Sequence, residues 1–150
     1  TAHVVSDSHL KEILDKVKRP CIRYTEATEE NVTQADCLII DCYGLLSSIY
    51  RYGEISYIGG GFGVGIHNVL EAAVYGIPVI FGPNNKKFRE AQHLLEQKGG
   101  FEVTGYDDFK RLMDKFLSDE AYLQQAGKAA GNYVNHNAGA LEKIMKDINL

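Results

Sequence analysis

Apolar residues in this chain recur first at helical spacing and then in short unbroken runs, and the two patterns alternate almost from end to end. Leu10, Ile13, Leu14 and Val17 share one face of a helix predicted over residues 8–18 and closed by Pro20. Residues 21–24 read as a short strand and the acidic stretch 26–34 as a loop. Cys37-Leu38-Ile39-Ile40, closed by Asp41, has the continuous apolarity of a strand buried on both faces. A helix is expected over 45–52, a strand over 55–58 and a helix over 68–75 stopped by Gly76. Another strand is expected over 77–81, with Pro78 near its start, where a missing N–H is tolerated. Residues 86–98 read as a helix ended by Gly99-Gly100, and 101–103 as a last strand. Helices near 106–117, 120–134 and 138–148 complete the pattern, with Phe116, Leu117, Tyr122 and Leu123 as core and Tyr133 to Asn137 as a polar turn.

Strands separated by helices of this length build βαβ units. The expected fold is a single α/β domain over residues 1–150, a Rossmann-like three-layer parallel sheet with helices on both faces. In such sheets ligands sit outside the carboxyl ends of the strands, so the loops after Val5, Asp41, Ile58 and Phe81 are the places to search. The opening Ala2-His3-Val4-Val5 reads as the end of a strand already in progress, as expected of a fragment of a longer protein.

The loop after Ile58 is the unusual one. Gly59-Gly60-Gly61-Phe62-Gly63-Val64-Gly65-Ile66-His67-Asn68 joins a buried strand to a helix start. Glycines there permit positive φ and let backbone N–H groups approach a ligand, and a helix start adds further donors, a combination suited to a phosphate. No register gives G-x-G-x-x-G and no Gly-Lys-Ser/Thr follows, which excludes the dinucleotide fingerprint and the P-loop. A tightly packed turn is the structural alternative. Asn68 and Glu71 have the spacing of a capping box, yet a carboxylate at Glu71 is also placed to accept from both hydroxyls of a ribose.

A formal net charge of -4 argues against nucleic acid as a partner. No apolar run approaches the roughly 18–20 residues a membrane span needs. The three cysteines, Cys21, Cys37 and Cys42, lack metal-site spacing and are expected as small buried hydrophobes in a reducing compartment.

Taken jointly, several segments resemble the bacterial 3-deoxy-D-manno-oct-2-ulosonic acid (Kdo) transferases over roughly residues 26–139. They are Gly59-Gly60, His67-Asn68-x-Leu70-Glu71-Ala72-Ala73, Gly76-Ile77-Pro78-Val79 and Gly82-Pro83, with Asp41-Cys42-Tyr43-Gly44, Tyr50 and Tyr52 upstream. Leu45, Ile66 and Val69 depart from that family's usual residues. The resemblance implies the C-terminal domain of a GT-B glycosyltransferase of lipopolysaccharide biosynthesis. Its donor would be CMP-Kdo and its acceptor a lipid A precursor at the cytoplasmic face of the bacterial inner membrane, with no metal or other cofactor. Gly60, Gly61, Gly63 and Gly65 would then face the CMP phosphate, with His67 and Asn68 near the phosphate or its leaving oxygen. Glu71 would hold the ribose, and Gly44, Pro83 and Asn84 would lie beside the donor. Arg89 either meets the donor's carboxylate or is a solvated helix residue. The family's catalytic base belongs to the N-terminal domain, so no catalytic residue is expected here and the chain alone is expected to be inactive. The implied partners are that domain and, through the rest of the protein, the membrane. Leu141, Ile144, Met145 and Ile148 on the last helix are candidates for self-association. Two other readings share the loop: a GT-B transferase or sugar-nucleotide epimerase using a UDP-sugar, and a non-catalytic nucleotide-binding or docking domain.

Overall fold

The computed structural model describes residues 6–139 and divides the chain into two compact units, Thr1–Ile49 and Tyr50–Leu150. The first unit contains α1 (Asp7–Lys16), β1 (Cys21–Arg23), β2 (Cys37–Ile39) and α2 (Leu46–Ile49). The Ser6 hydroxyl caps α1 by accepting from the His9 N–H at 3.4 Å, and Leu10 is buried. β1 and β2 pair in parallel, with Cys21 opposite Cys37 and Arg23 opposite Ile39. The apolar run predicted a strand buried on both faces, but Leu38 is exposed and Ile39 alone is fully buried. Apolarity states what a strand can bury, not how many faces its neighbours cover. All three cysteines are free thiols of intermediate burial.

A buried carboxylate ties the ends of these strands together. Asp41 accepts from the Thr25 hydroxyl at 2.6 Å, the Thr25 N–H at 3.0 Å and the Arg23 Nε at 2.7 Å. Each bond favours the ionised form, and the Thr25 hydroxyl most of all, so the Asp41 pKa is lowered to about 2.

The second unit begins with a 3₁₀ turn, Tyr50–Tyr52, in place of the second half of the helix expected over 45–52. It continues through β3 (Ser56–Tyr57), α3 (Leu70–Ala73), β4 (Val79–Phe81), α4 (Arg89–Glu96), β5 (Gly100–Glu102), α5 (Tyr106–Ser118) and α6 (Glu120–Asn137). The three strands form a parallel sheet in the order β3-β4-β5. Its central strand is completely buried, and alternation sends Val79 and Phe81 into one core and Ile80 into another. The first core gathers Ile58, Ala72, Ala91, Leu94 and Ala130, and the second gathers Val103, Phe116 and Ala126. This is the α/β architecture with helices on both faces that the sequence pattern predicts, its strands divided between two separate ladders.

Among the described residues, the last two helices correct two expectations. Residues 133–137 are helical, because Tyr133 is buried and its hydroxyl bonds His93 Nδ1 at 3.1 Å, an anchor that polar neighbours conceal. Leu117 is exposed on the outer side of α5, one residue beyond the buried Phe116. α6 approaches the turn at Gly76 through small residues: Gly127 and Gly131 both face Gly76, and Ala130 lies against Gly99. Val4, Val5, Leu141, Ile144, Met145, Ile148 and the helix expected over most of 138–148 lie outside the described residues.

Candidate functional site

The glycine loop leaves β3 once Ile58 has donated its N–H to the Ile80 carbonyl at 2.8 Å. It then folds back on itself. Gly60 and Ile66 form an antiparallel bridge, the His67 N–H donates to the Gly59 carbonyl at 3.1 Å, and the Gly61 N–H donates to the Val64 carbonyl at 3.0 Å. Gly60 and Gly61 have φ of 88° and 85°, a region side chains rarely adopt. Gly65 lies against the ring of Phe88, so a side chain there would displace the ring. These three glycines therefore have a structural reason. Gly63 has none: its φ is not positive and nothing stands within 4 Å of where a Cβ would be. The tip residues Phe62, Gly63 and Val64 are exposed.

The loop after β4 holds this tip. The Asn84 N–H donates to the Gly61 carbonyl at 2.9 Å, and Asn84 Nδ2 donates to the Gly63 carbonyl at 3.0 Å. Asn84, expected beside the ligand, thus has its side-chain amide engaged with the loop. Pro83 is half-buried in the same turn, and Arg89 is the exposed first residue of α4. Among the described residues, the N–H groups of Gly60, Gly63 and Gly65 make no hydrogen bond within the chain.

The helix behind the loop is shorter than expected. α3 is a single turn, Leu70–Ala73, preceded by the helical but uncapped Val69. A dipole summed over so few peptides is small, so this helix start adds little to any attraction for an anion. Asn68 does cap it locally, accepting from the Leu70 N–H at 3.0 Å. The reciprocal bond differs from the capping box, since Glu71 Oε1 accepts from Asn68 Nδ2 at 3.0 Å rather than from a backbone N–H. The Tyr50 phenol has its pKa raised by burial and, secondarily, by the charge of Glu71. His67 and Asn68 line a cavity of about 360 Å³ with Ile66, Val69, Leu70, Phe88 and Glu90. Glycine-loop residues and His67, Asn68 and Glu71 therefore share one end of the β3-β4-β5 sheet. Gly44 belongs to the other unit, where its φ of 87° accounts for the glycine.

Sequence reasoning missed Asn85 and Phe88. Nothing in a polar Asn-Asn pair signals that the second is fully buried, or that Phe88 walls the loop. Among the described residues, no cluster of three or more His, Cys, Asp or Glu could hold a metal, and no helix is long and apolar enough to cross a membrane.

No protein-family model matches the chain. Over 87 residues it is 37% identical to the 3-deoxy-D-manno-octulosonic acid transferase of Aquifex aeolicus, covering 57% of this chain and 25% of that protein. The protein of the same name in Rickettsia felis is 28% identical over 148 residues, covering 93% of this chain and 31% of the relative. The chain thus spans about a quarter to a third of the length of these curated relatives. Among solved structures, the C-terminal CMP-Kdo binding domain of WaaA from Acinetobacter baumannii superposes with a TM-score of 0.69 at 18% identity, covering 85% of this chain and 67% of that one. The chain is a homologue, over most of its length, of one stretch of the 3-deoxy-D-manno-octulosonic acid transferases, and it shares the fold of the C-terminal domain of WaaA.

Proposed function

We propose that this chain is the donor-binding part of a glycosyltransferase that uses CMP-Kdo and delivers Kdo to a lipid A precursor. The observation that carries the reading is the exposed, doubly held tip of the glycine loop. Among the described residues, the Gly60, Gly63 and Gly65 N–H groups of this loop make no bond within the chain, and His67, Asn68 and Glu71 follow it at the same end of the sheet. The CMP phosphate lies against those N–H groups. Gly61, whose N–H is engaged with Val64, contributes by letting the backbone come close. Glu71 accepts from the ribose hydroxyls, and Asn68 holds its carboxylate in place from one side. His67, which lines the cavity beside Asn68, donates toward the leaving oxygen. As the glycosidic bond breaks, negative charge grows on the departing CMP, and donors fixed in advance stabilise it without reorganising. Pro83 and Asn84 complete the surroundings of the donor.

No residue of this chain is assigned as the catalytic base. The base and the acceptor site belong to an N-terminal domain, and the complete enzyme works without a metal at the cytoplasmic face of the inner membrane. The relatives' shared name, the fold of the CMP-Kdo binding domain and the Asn68–Glu71 geometry support this reading. Calorimetric titration of the chain with CMP and with UMP tests it, together with an assay of Kdo transfer from CMP-Kdo. Binding that favours CMP, without transfer by the chain alone, is the expected result. A preference for UMP reassigns the site to a UDP-sugar enzyme, and full transfer by these residues overturns the assignment of the base.

A further inference from the structure

We infer that the buried Asn85 is a positioning residue for the glycine loop, and this rests on the nucleotide-binding reading of that loop. Asn85 is completely buried, and its side chain ties three elements together. Its Nδ2 donates to the Gly82 carbonyl at 3.0 Å and to Glu102 Oε2 at 2.7 Å, and its Oδ1 accepts from Gln92 Nε2 at 2.5 Å. The β4 loop is thereby fixed to the end of β5 through Glu102 and to α4 through Gln92. An asparagine is well suited to this place because it donates twice and accepts within one planar group, with no net charge to desolvate.

The turn that Asn85 fixes is the one that holds the glycine loop. Asn84 next to it reaches the Gly61 and Gly63 carbonyls. Gly82 presses against Gly61 so closely that a Cβ on Gly82 would stand 2.8 Å from the Gly61 carbonyl carbon. Both carbonyls that Asn84 holds lie in the loop whose N–H groups face the ligand. A small displacement of the turn therefore moves the donors off the phosphate, and such misplacement reduces catalysis even when it starts at a distance. Asn85 touches no part of the proposed ligand and acts through Asn84 and Gly82.

Hydrogen exchange on Asn85→Ala tests this. The Asn84 amide, which bonds Gly61, reports the clamp, and the Ile58 amide, which bonds Ile80, reports the sheet. Losing a buried hydrogen-bonding side chain is expected to lower Asn84 protection about tenfold or more while Ile58 keeps its own. CMP affinity should fall by about tenfold at a temperature where the variant is fully folded. Equal losses at both amides, or unchanged protection at Asn84, would show a role in general stability only and overturn the inference. If Asn85→Ala does not fold, Gln92→Ala removes the α4 anchor alone and the same pair of amides decides. If the unaltered chain ignores CMP, the nucleotide reading fails while amide exchange still settles the clamp.

Discussion

The backbones of Gly61 and Gly82 are in direct contact: a Cβ on Gly61 would stand 2.8 Å from the Gly82 Cα. Neither position accepts a side chain unless the loops after β3 and β4 separate. Gly82→Ala is therefore expected to cost about 1–3 kcal/mol, as overpacking of a close contact does. It should also weaken CMP binding. Thermal melts and calorimetry read the two effects, and a variant as stable as the parent would refute the contact.

Gly63→Ala separates ligand from packing. The site has open space and ordinary φ, so the folded protein should change by no more than about 0.5 kcal/mol. A methyl group at the exposed tip would nevertheless stand where the phosphate approaches. The account predicts unchanged melting with CMP affinity lowered several-fold. Unchanged affinity would mean that Gly63 does not face the nucleotide.

Gly127→Ala sets a local preference against a tertiary contact. Alanine favours a helix interior by about 0.8–1.0 kcal/mol over glycine. Here its Cβ would run into the Gly76 carbonyl, a backbone atom that cannot swing aside. Net destabilisation of about 1–3 kcal/mol is expected, because overpacking outweighs propensity. A stabilised variant in a urea titration would show that α6 can shift away from Gly76 without cost.

Much of the fold was legible because its causes are local. Unbroken apolar runs such as Val79–Phe81 and helical faces such as Leu10-Ile13 place nearly every described element to within a few residues. The glycine loop also announced itself, since so long a connection, where about two or three residues would suffice, is hard to justify by packing alone. Asn85, Tyr133 and the Gly127–Gly76 approach were not legible. Each depends on which distant residue comes to lie opposite, and a polar or small side chain carries the same local signal whether it is buried or exposed. For the same reason Leu38 and Leu117 look like core and are exposed.

Asp41 gives the first unit a pH dependence of known sign. Its carboxyl has a pKa of about 2 in the folded chain, held down first by the Thr25 hydroxyl, then by the Thr25 N–H and the Arg23 guanidinium. An unfolded aspartate titrates near about 3.9. The stabilisation is therefore fully present above about pH 4 and is lost as the pH falls through about 2. Asp41→Asn should be less stable at neutral pH, with the difference narrowing across that window. Parallel stability curves for the two proteins from pH 5 to about 2 would contradict the assignment.

The most direct measurement is an amide chemical-shift titration of the isotopically labelled chain with CMP and, separately, with UMP. The account predicts that CMP shifts the resonances of Gly60, Gly63, Gly65, His67 and Glu71 at lower concentration than UMP, with Ile80 and Phe116 unmoved. Shifts confined to residues outside the loop, or an unaltered loop at saturating CMP, would contradict the claim that this loop binds the donor's nucleotide.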